Sequence, residues 1–115
     1  MTIRIFHNPR CSKSRATLAL LQDRGVEPEI TLYLETPPSA IELRSILGKL
    51  GMTASDLMRK GEQEFRELGL SDESLSEEQL IAAMAAHPKL IERPIVLANG
   101  QAAIGRPPEA VLEIL

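Results

Sequence analysis

The chain has one cysteine, Cys11, and it lies in "FHNPRCSKSR" (residues 6–15), a stretch that also carries His7, Arg10, Lys13 and Arg15 and no carboxylate. The thiolate, not the thiol, is the nucleophile, and nearby cations favour it. "CSKSRATLALLQDRG" reads as a helix from Cys11 to its stop at Gly25, so the sulfur falls at a helix start, where free N–H groups and the helix dipole also favour negative charge. A thiol reactive at neutral pH is expected. That end of a helix is also an anion site, and an arginine fork matches a tetrahedral oxyanion. A nucleophile and an anion cradle would then share one place. A lone cysteine is more often buried and inert, but the basic, turn-rich surroundings of Cys11 point the other way.

Two spacings narrow the chemistry. A dithiol switch needs C-x-x-C, and the second position here is Ser14, so an oxidised Cys11 has to be reduced by an outside thiol. Cysteine phosphatases are expected to place arginine six positions after the nucleophile, where this chain has Thr17. Three further arginines stand out: Arg59 after "LM", Arg93 in "ERPIV" and Arg106 in "GRPPE". Arg93 and Arg106 each precede proline, which keeps them out of helical geometry and places them in loops. Arg93–Pro94 is also a candidate cis bond. Taken singly, each arginine reads as a solvated surface charge. His7, four residues before the thiol, is placed to polarise it or to hold its loop. His87 receives no role, and no cluster has zinc-ligand spacing, so no metal is expected.

The elements around these residues follow from pattern. "TIRIF" alternates as a strand, Asn8-Pro9 breaks it, the Cys11 helix follows, and "EITLYL" alternates again, giving a parallel β-α-β unit. "SAIELRSILGKL" opens with Ser39 and Glu42 in capping-box spacing and sets Leu43, Ile46, Leu47 and Leu50 on one face; "SEEQLIAAMAAH" repeats the box with Ser76 and Gln79. "TASDLMRKGEQEFRELGL" between them reads as short helices and loops. "RPIVLANGQAAIG" is a hairpin about Asn99-Gly100, and "RPPEAVLEIL" a last helix opened by two prolines. The order β-α-β, helices, β-β-α is that of an α/β, thioredoxin-like fold with a helical insertion.

At 115 residues and 43% hydrophobic, the chain suits one domain spanning residues 1–115. Its apolar runs are too short to span a membrane and its N-terminus lacks the build of a signal peptide. With a lone cysteine, a soluble cytoplasmic protein is expected. A net charge of −3 argues against general nucleic-acid affinity, yet residues 1–22 carry +4 and the remainder −7. A basic pole surrounds the cysteine.

Together "HNPRCSKSR", "YLETPP", "LMRK", "ELGL", "HPKLIERPIV" and "GRPPE" closely resemble the glutaredoxin-linked arsenate reductase family, in order and spacing, from Ile3 to Leu115. The resemblance implies a thioredoxin-like fold and attack of a cysteine thiolate on arsenate or a similar oxyanion. Glutathione then displaces oxygen from the adduct, and glutaredoxin with glutathione completes reduction to arsenite. It implies Cys11 as nucleophile, His7 helping to keep it ionised, Ser14 supporting the thiolate, and Arg59, Arg93 and Arg106 binding the anion. Glutathione enters as a co-substrate, and no bound cofactor is implied. The chain departs from the family in Ser12-Lys13, where Gly-Thr is usual, in Arg10, where a small residue is usual, and in ending short of a C-terminal tail, the pattern of a shorter branch. Two other readings share these residues: a monothiol glutathione-dependent oxidoreductase without arsenate activity, compatible with C-x-x-S, and an Spx-like RNA polymerase-binding regulator, against which Ser14 argues.

Overall fold

The alternation in "TIRIF" resolves into strand β1 (Arg4–Phe6) in the computed structural model, which describes residues 2–115. Ile5 and Phe6 are buried in it. Helix α1 (Ser12–Asp23) follows and buries Ser14, Thr17 and Leu21, whose three- and four-residue spacing puts them on one face. It ends at Gly25, which adopts φ +77° and donates its N–H to Gln22 at 3.0 Å, a conformation that suits a residue without Cβ. Strand β2 (Glu29–Thr31) then pairs parallel to β1 with Ile5 opposite Ile30.

Strands β3 (Ile95–Ala98) and β4 (Gln101–Ile104) complete a four-stranded sheet of order β2-β1-β3-β4. β3 runs antiparallel to both β1 and β4. Their hairpin closes through Asn99 at φ 54° and Gly100 at φ 74°, the two positive dihedrals that a two-residue hairpin turn of the right twist requires. On this sheet Ile5, Leu21, Val96, Ala98, Val111 and Ile114 form a core flanked by Ile3, Leu18, Val26 and Ala103. Truncating one of its large members, as in Ile5→Ala, costs about 2–5 kcal/mol.

Two segments depart from expectation. "EITLYL" is a strand only to Thr31, because the amides of Glu35 and Thr36 both turn back to the Leu32 carbonyl at 2.9 Å and close the strand. The C-terminal segment is a 3₁₀ helix over Pro108–Ile114 rather than an α-helix. Two prolines remove donors at its start, and the buried pair Val111 and Ile114 matches the three-residue turn of that helix type.

Residues 37–92 form a second compact unit, inserted in the chain between Thr36 and Arg93. Helices α2 (Ala40–Leu50), α3 (Ala54–Leu57), α4 (Gln63–Glu67) and α5 (Glu77–Ala86) precede a 3₁₀ turn at Pro88–Leu90. α2 starts where Ser39 Oγ accepts the Glu42 N–H at 3.1 Å. α5 starts with a full capping box of Ser76 and Gln79, and α3 with one of Thr53 and Asp56. α2 packs against α5, and Leu43, Ile46 and Leu47 of the one and Ile81 and Met84 of the other are buried, while Leu50 is half-buried. The Glu77 carboxylate also accepts the Ala54 N–H at 2.8 Å, tying α5 to α3. Among the described residues no helix is long and apolar enough to cross a membrane.

Candidate active site

Cys11 is the N-cap residue of α1, with φ −96° and ψ 123°. Asn8-Pro9 turns the chain out of β1, and the Cys11 N–H closes that turn on the Asn8 carbonyl at 3.0 Å. The Cys11 carbonyl in turn accepts the Arg15 N–H at 3.0 Å, the first bond of the helix. These backbone bonds set Cys11 where the unsatisfied donors of the helix start collect, and its side chain makes no capping bond itself. Cys11 is 8% exposed and forms no disulfide.

One turn further along α1, Ser14 is fully buried. Its Oγ lies 2.6 Å from His7 Nδ1 and accepts the Asn8 N–H at 3.0 Å. The end of β1, the loop and α1 thus meet on one hydroxyl. His7 is also buried, and its own N–H extends the β-pairing to the Thr31 carbonyl at 2.9 Å. Burial first, and then the charge of Arg15, hold the His7 imidazole below its usual value of 6.5. At neutral pH His7 is consequently an uncharged, hydrogen-bonded ring.

Arg93 and Arg106 both sit in proline loops, and both peptide bonds, Arg93–Pro94 and Arg106–Pro107, are cis. The two loops are joined by the Gly105 N–H to the Pro94 carbonyl at 2.9 Å and by Arg106 Nε to the Arg93 carbonyl at 2.8 Å. The second bond fixes the guanidinium, whose Nη2 donates to Cys11 Sγ at 3.6 Å. A cation and the sulfur 95 positions away in sequence are thereby in contact, the arrangement in which a developing negative charge is stabilised without reorganisation.

Gly105 has a steric role. A Cβ there would lie 2.3 Å from Thr17 Oγ1 and 2.8 Å from Pro94 Cγ, so only glycine lets the Arg106 loop approach α1. Thr17 is itself fully buried and donates its hydroxyl to the Lys13 carbonyl at 2.8 Å. Neither residue was among the expected site residues. The signals for them were a threonine on the same helical face as Ser14 and Leu21, and a glycine immediately before an arginine-proline pair.

The basic pole is partly engaged. Arg4 stacks over Phe6 with its guanidinium 4.5 Å from the ring centroid and donates to Thr31 Oγ1 at 2.9 Å. Arg15 donates to the Pro9 carbonyl at 3.0 Å and so braces the loop before Cys11. Arg59 belongs to the helical unit, where Met58 bridges to Ile91 and the Arg59 N–H bonds the Leu90 carbonyl at 2.7 Å. Its guanidinium there lies 3.2 Å from Glu62 and 3.7 Å from Glu92.

A four-stranded β2-β1-β3-β4 sheet with a cysteine at the start of its first helix and a cis-proline loop leading into β3 defines a thioredoxin-like protein. The ArsC family matches residues 6–114, and the chain belongs to that family. It is 63% identical to the Escherichia coli K12 protein YfgD, over 98% of this chain and 96% of that one, a relative whose name carries no activity. It is 53% identical to an arsenate reductase of Neisseria meningitidis, over 98% of this chain and 97% of that one. Among solved structures, an arsenate reductase from Vibrio cholerae superposes with a TM-score of 0.97 at 56% identity, covering 100% of this chain and 98% of its own.

Proposed function

We propose that this protein reduces arsenate to arsenite, with Cys11 as nucleophile and with glutathione and glutaredoxin as electron donors. The observation that carries the proposal is the 3.6 Å contact of Arg106 Nη2 with Cys11 Sγ at the start of α1, in a chain similar along its whole length to arsenate reductases. The Cys11 sulfur displaces one oxygen from arsenic(V), which leaves as water once protonated, and arsenic keeps its oxidation state. Glutathione sulfur displaces a second oxygen in the same way. A glutaredoxin thiolate then attacks the glutathione sulfur, so that a sulfur–sulfur bond forms between them as the electron pair passes to arsenic, which is left as arsenic(III) on Cys11. Water displaces the Cys11 sulfur, releasing arsenite and the free thiol, and a second glutathione restores glutaredoxin with formation of glutathione disulfide. The sum is arsenate plus two glutathione giving arsenite, glutathione disulfide and water.

In this reading Arg106 and Arg93 offset the charge of the bound oxyanion and of the adduct. The family resemblance gives the same role to Arg59. His7, being uncharged, acts through Ser14 and the loop rather than as a cation beside the sulfur. The lone cysteine accounts for the borrowed thiols, because C-x-x-Ser has no second sulfur to close an internal disulfide. The test is arsenate-dependent NADPH oxidation with glutathione, glutathione reductase and glutaredoxin supplied. The Cys11→Ser variant is expected to fall to the protein-free rate, and a variant that keeps turning over arsenate contradicts the assignment of Cys11.

A further inference from the structure

The loop before Cys11 does more than turn the chain. Together with the segment that follows β2 it walls a cavity of about 240 Å³, lined by His7, Asn8, Pro9 and Arg10 from the loop and by Leu32, Leu34 and Glu35 from that segment. Leu32 and Leu34 are 36% and 39% exposed, unusual for leucines beside a strand end that turns away from the sheet. Arg10 and Glu35 are exposed. Among the described residues neither side chain is engaged in an ion pair. One free guanidinium and one free carboxylate therefore flank an apolar floor, and Arg10 is next in sequence to the only cysteine.

The geometry points to this cavity as the binding site for the thiol co-substrate, a zwitterionic tripeptide of the glutathione type; the inference rests on the thiol-dependent reading above. Such a ligand carries two carboxylates, one ammonium group and a short apolar centre. Arg10 matches a carboxylate, Glu35 the ammonium, and Leu32, Leu34 and Pro9 the methylenes between them. The volume is at the small end of ligand pockets, enough for one charged end and its neighbouring peptide. An extended tripeptide reaches about 10 Å, and Arg10, the wall residue adjacent to Cys11 in the chain, lies one Cα step of about 3.8 Å from it. A tripeptide anchored here can present its thiol to Cys11 while the oxyanion side of the sulfur remains with Arg106. The cavity holds and orients the thiol and changes no bond itself.

The experiment is a titration of the isotope-labelled whole chain with S-methylglutathione, which binds but cannot exchange, followed by amide chemical shifts. Shifts are expected at Asn8, Arg10, Leu32, Leu34 and Glu35. Arg10→Ala and Glu35→Gln should each weaken the affinity about three- to fivefold. Both positions are exposed, so the variants test binding without disturbing the core, and a Leu34→Ala variant tests the apolar floor by a separate route. Shifts confined to the Pro94 and Gly105 loops, or affinities unmoved in all three variants, would overturn the site. Arsenate turnover plays no part in this titration, so tripeptide binding at these residues in a protein inactive on arsenate would refute the proposed reaction and leave the site standing.

Discussion

At Cys11 the decisive neighbour is Arg106. Its guanidinium is aimed by the Nε bond to the Arg93 carbonyl and touches the sulfur. Replacing Arg106 by alanine is expected to slow iodoacetamide alkylation of Cys11 and to lower kcat/KM for arsenate by roughly 100-fold, the usual consequence of losing one preorganised charge-stabilising donor. Arg106→Lys keeps the charge but not the fork and should recover only part of the loss; full recovery would show that charge alone matters. His7 makes a second prediction through pH. Its imidazole is held below 6.5 in the folded protein by burial and by Arg15, so the unfolded chain binds the extra proton more readily. The stability it contributes is complete above about pH 6.5 and is lost as pH falls through the folded value. Thermal melts should show Tm dropping on acidification from pH 7.5 to 5.5, and His7→Gln should flatten that slope. An unchanged slope would mean the imidazole is solvated. The placements of Cys11 at a helix start and of Arg93 and Arg106 in proline loops were legible from sequence because the residue types and offsets that signal them are local. The partner of each was not, since the contact of Arg106 with Cys11 spans 95 positions and no spacing rule reaches that far.

At the scale of elements, the site depends on how closely the β4 exit loop comes to α1. Gly105→Ala puts a methyl against Thr17 and Pro94, and overpacking of this kind costs about 1–3 kcal/mol. The expected outcome is a lower denaturation midpoint together with impaired arsenate turnover. Thr17→Ala in the same chain should return part of the stability by removing the nearer clash; a Gly105→Ala chain of wild-type stability would show that the loop moves freely. In the helical unit the test is Ser76→Ala, which removes a cap that accepts the Gln79 N–H at 3.1 Å and should cost about 1 kcal/mol by denaturant titration. The capping boxes at Ser76 and the N-cap at Ser39 were readable because three-residue polar spacing ahead of an apolar stripe is a strong local signal. "EITLYL" misled for the opposite reason: its alternation continues past Thr31, whereas the turn amides at Glu35 and Thr36 decide where pairing stops. The 3₁₀ geometry of Pro108–Ile114 is likewise set by the burial of Val111 and Ile114, a tertiary demand that helix propensity does not register.

For the whole molecule, the order of elements was available from pattern alone, while the sheet order β2-β1-β3-β4 depends on long-range pairing that no local pattern specifies. That topology brings both ends of the chain into one sheet unit and leaves residues 37–92 as a unit of their own. The single thiol then sets the demand of the proposed reaction on the molecule: with no second cysteine, that reaction takes its reducing thiols from outside. The most direct measurement of this account is arsenic speciation in the glutathione and glutaredoxin reaction, with arsenite and glutathione disulfide counted together for the wild-type chain and for Cys11→Ser. The account predicts one arsenite for each glutathione disulfide formed from arsenate by the wild-type chain, and neither above background for the variant. Glutathione disulfide accumulating without arsenite would contradict it and would make the protein a thiol oxidoreductase for another substrate.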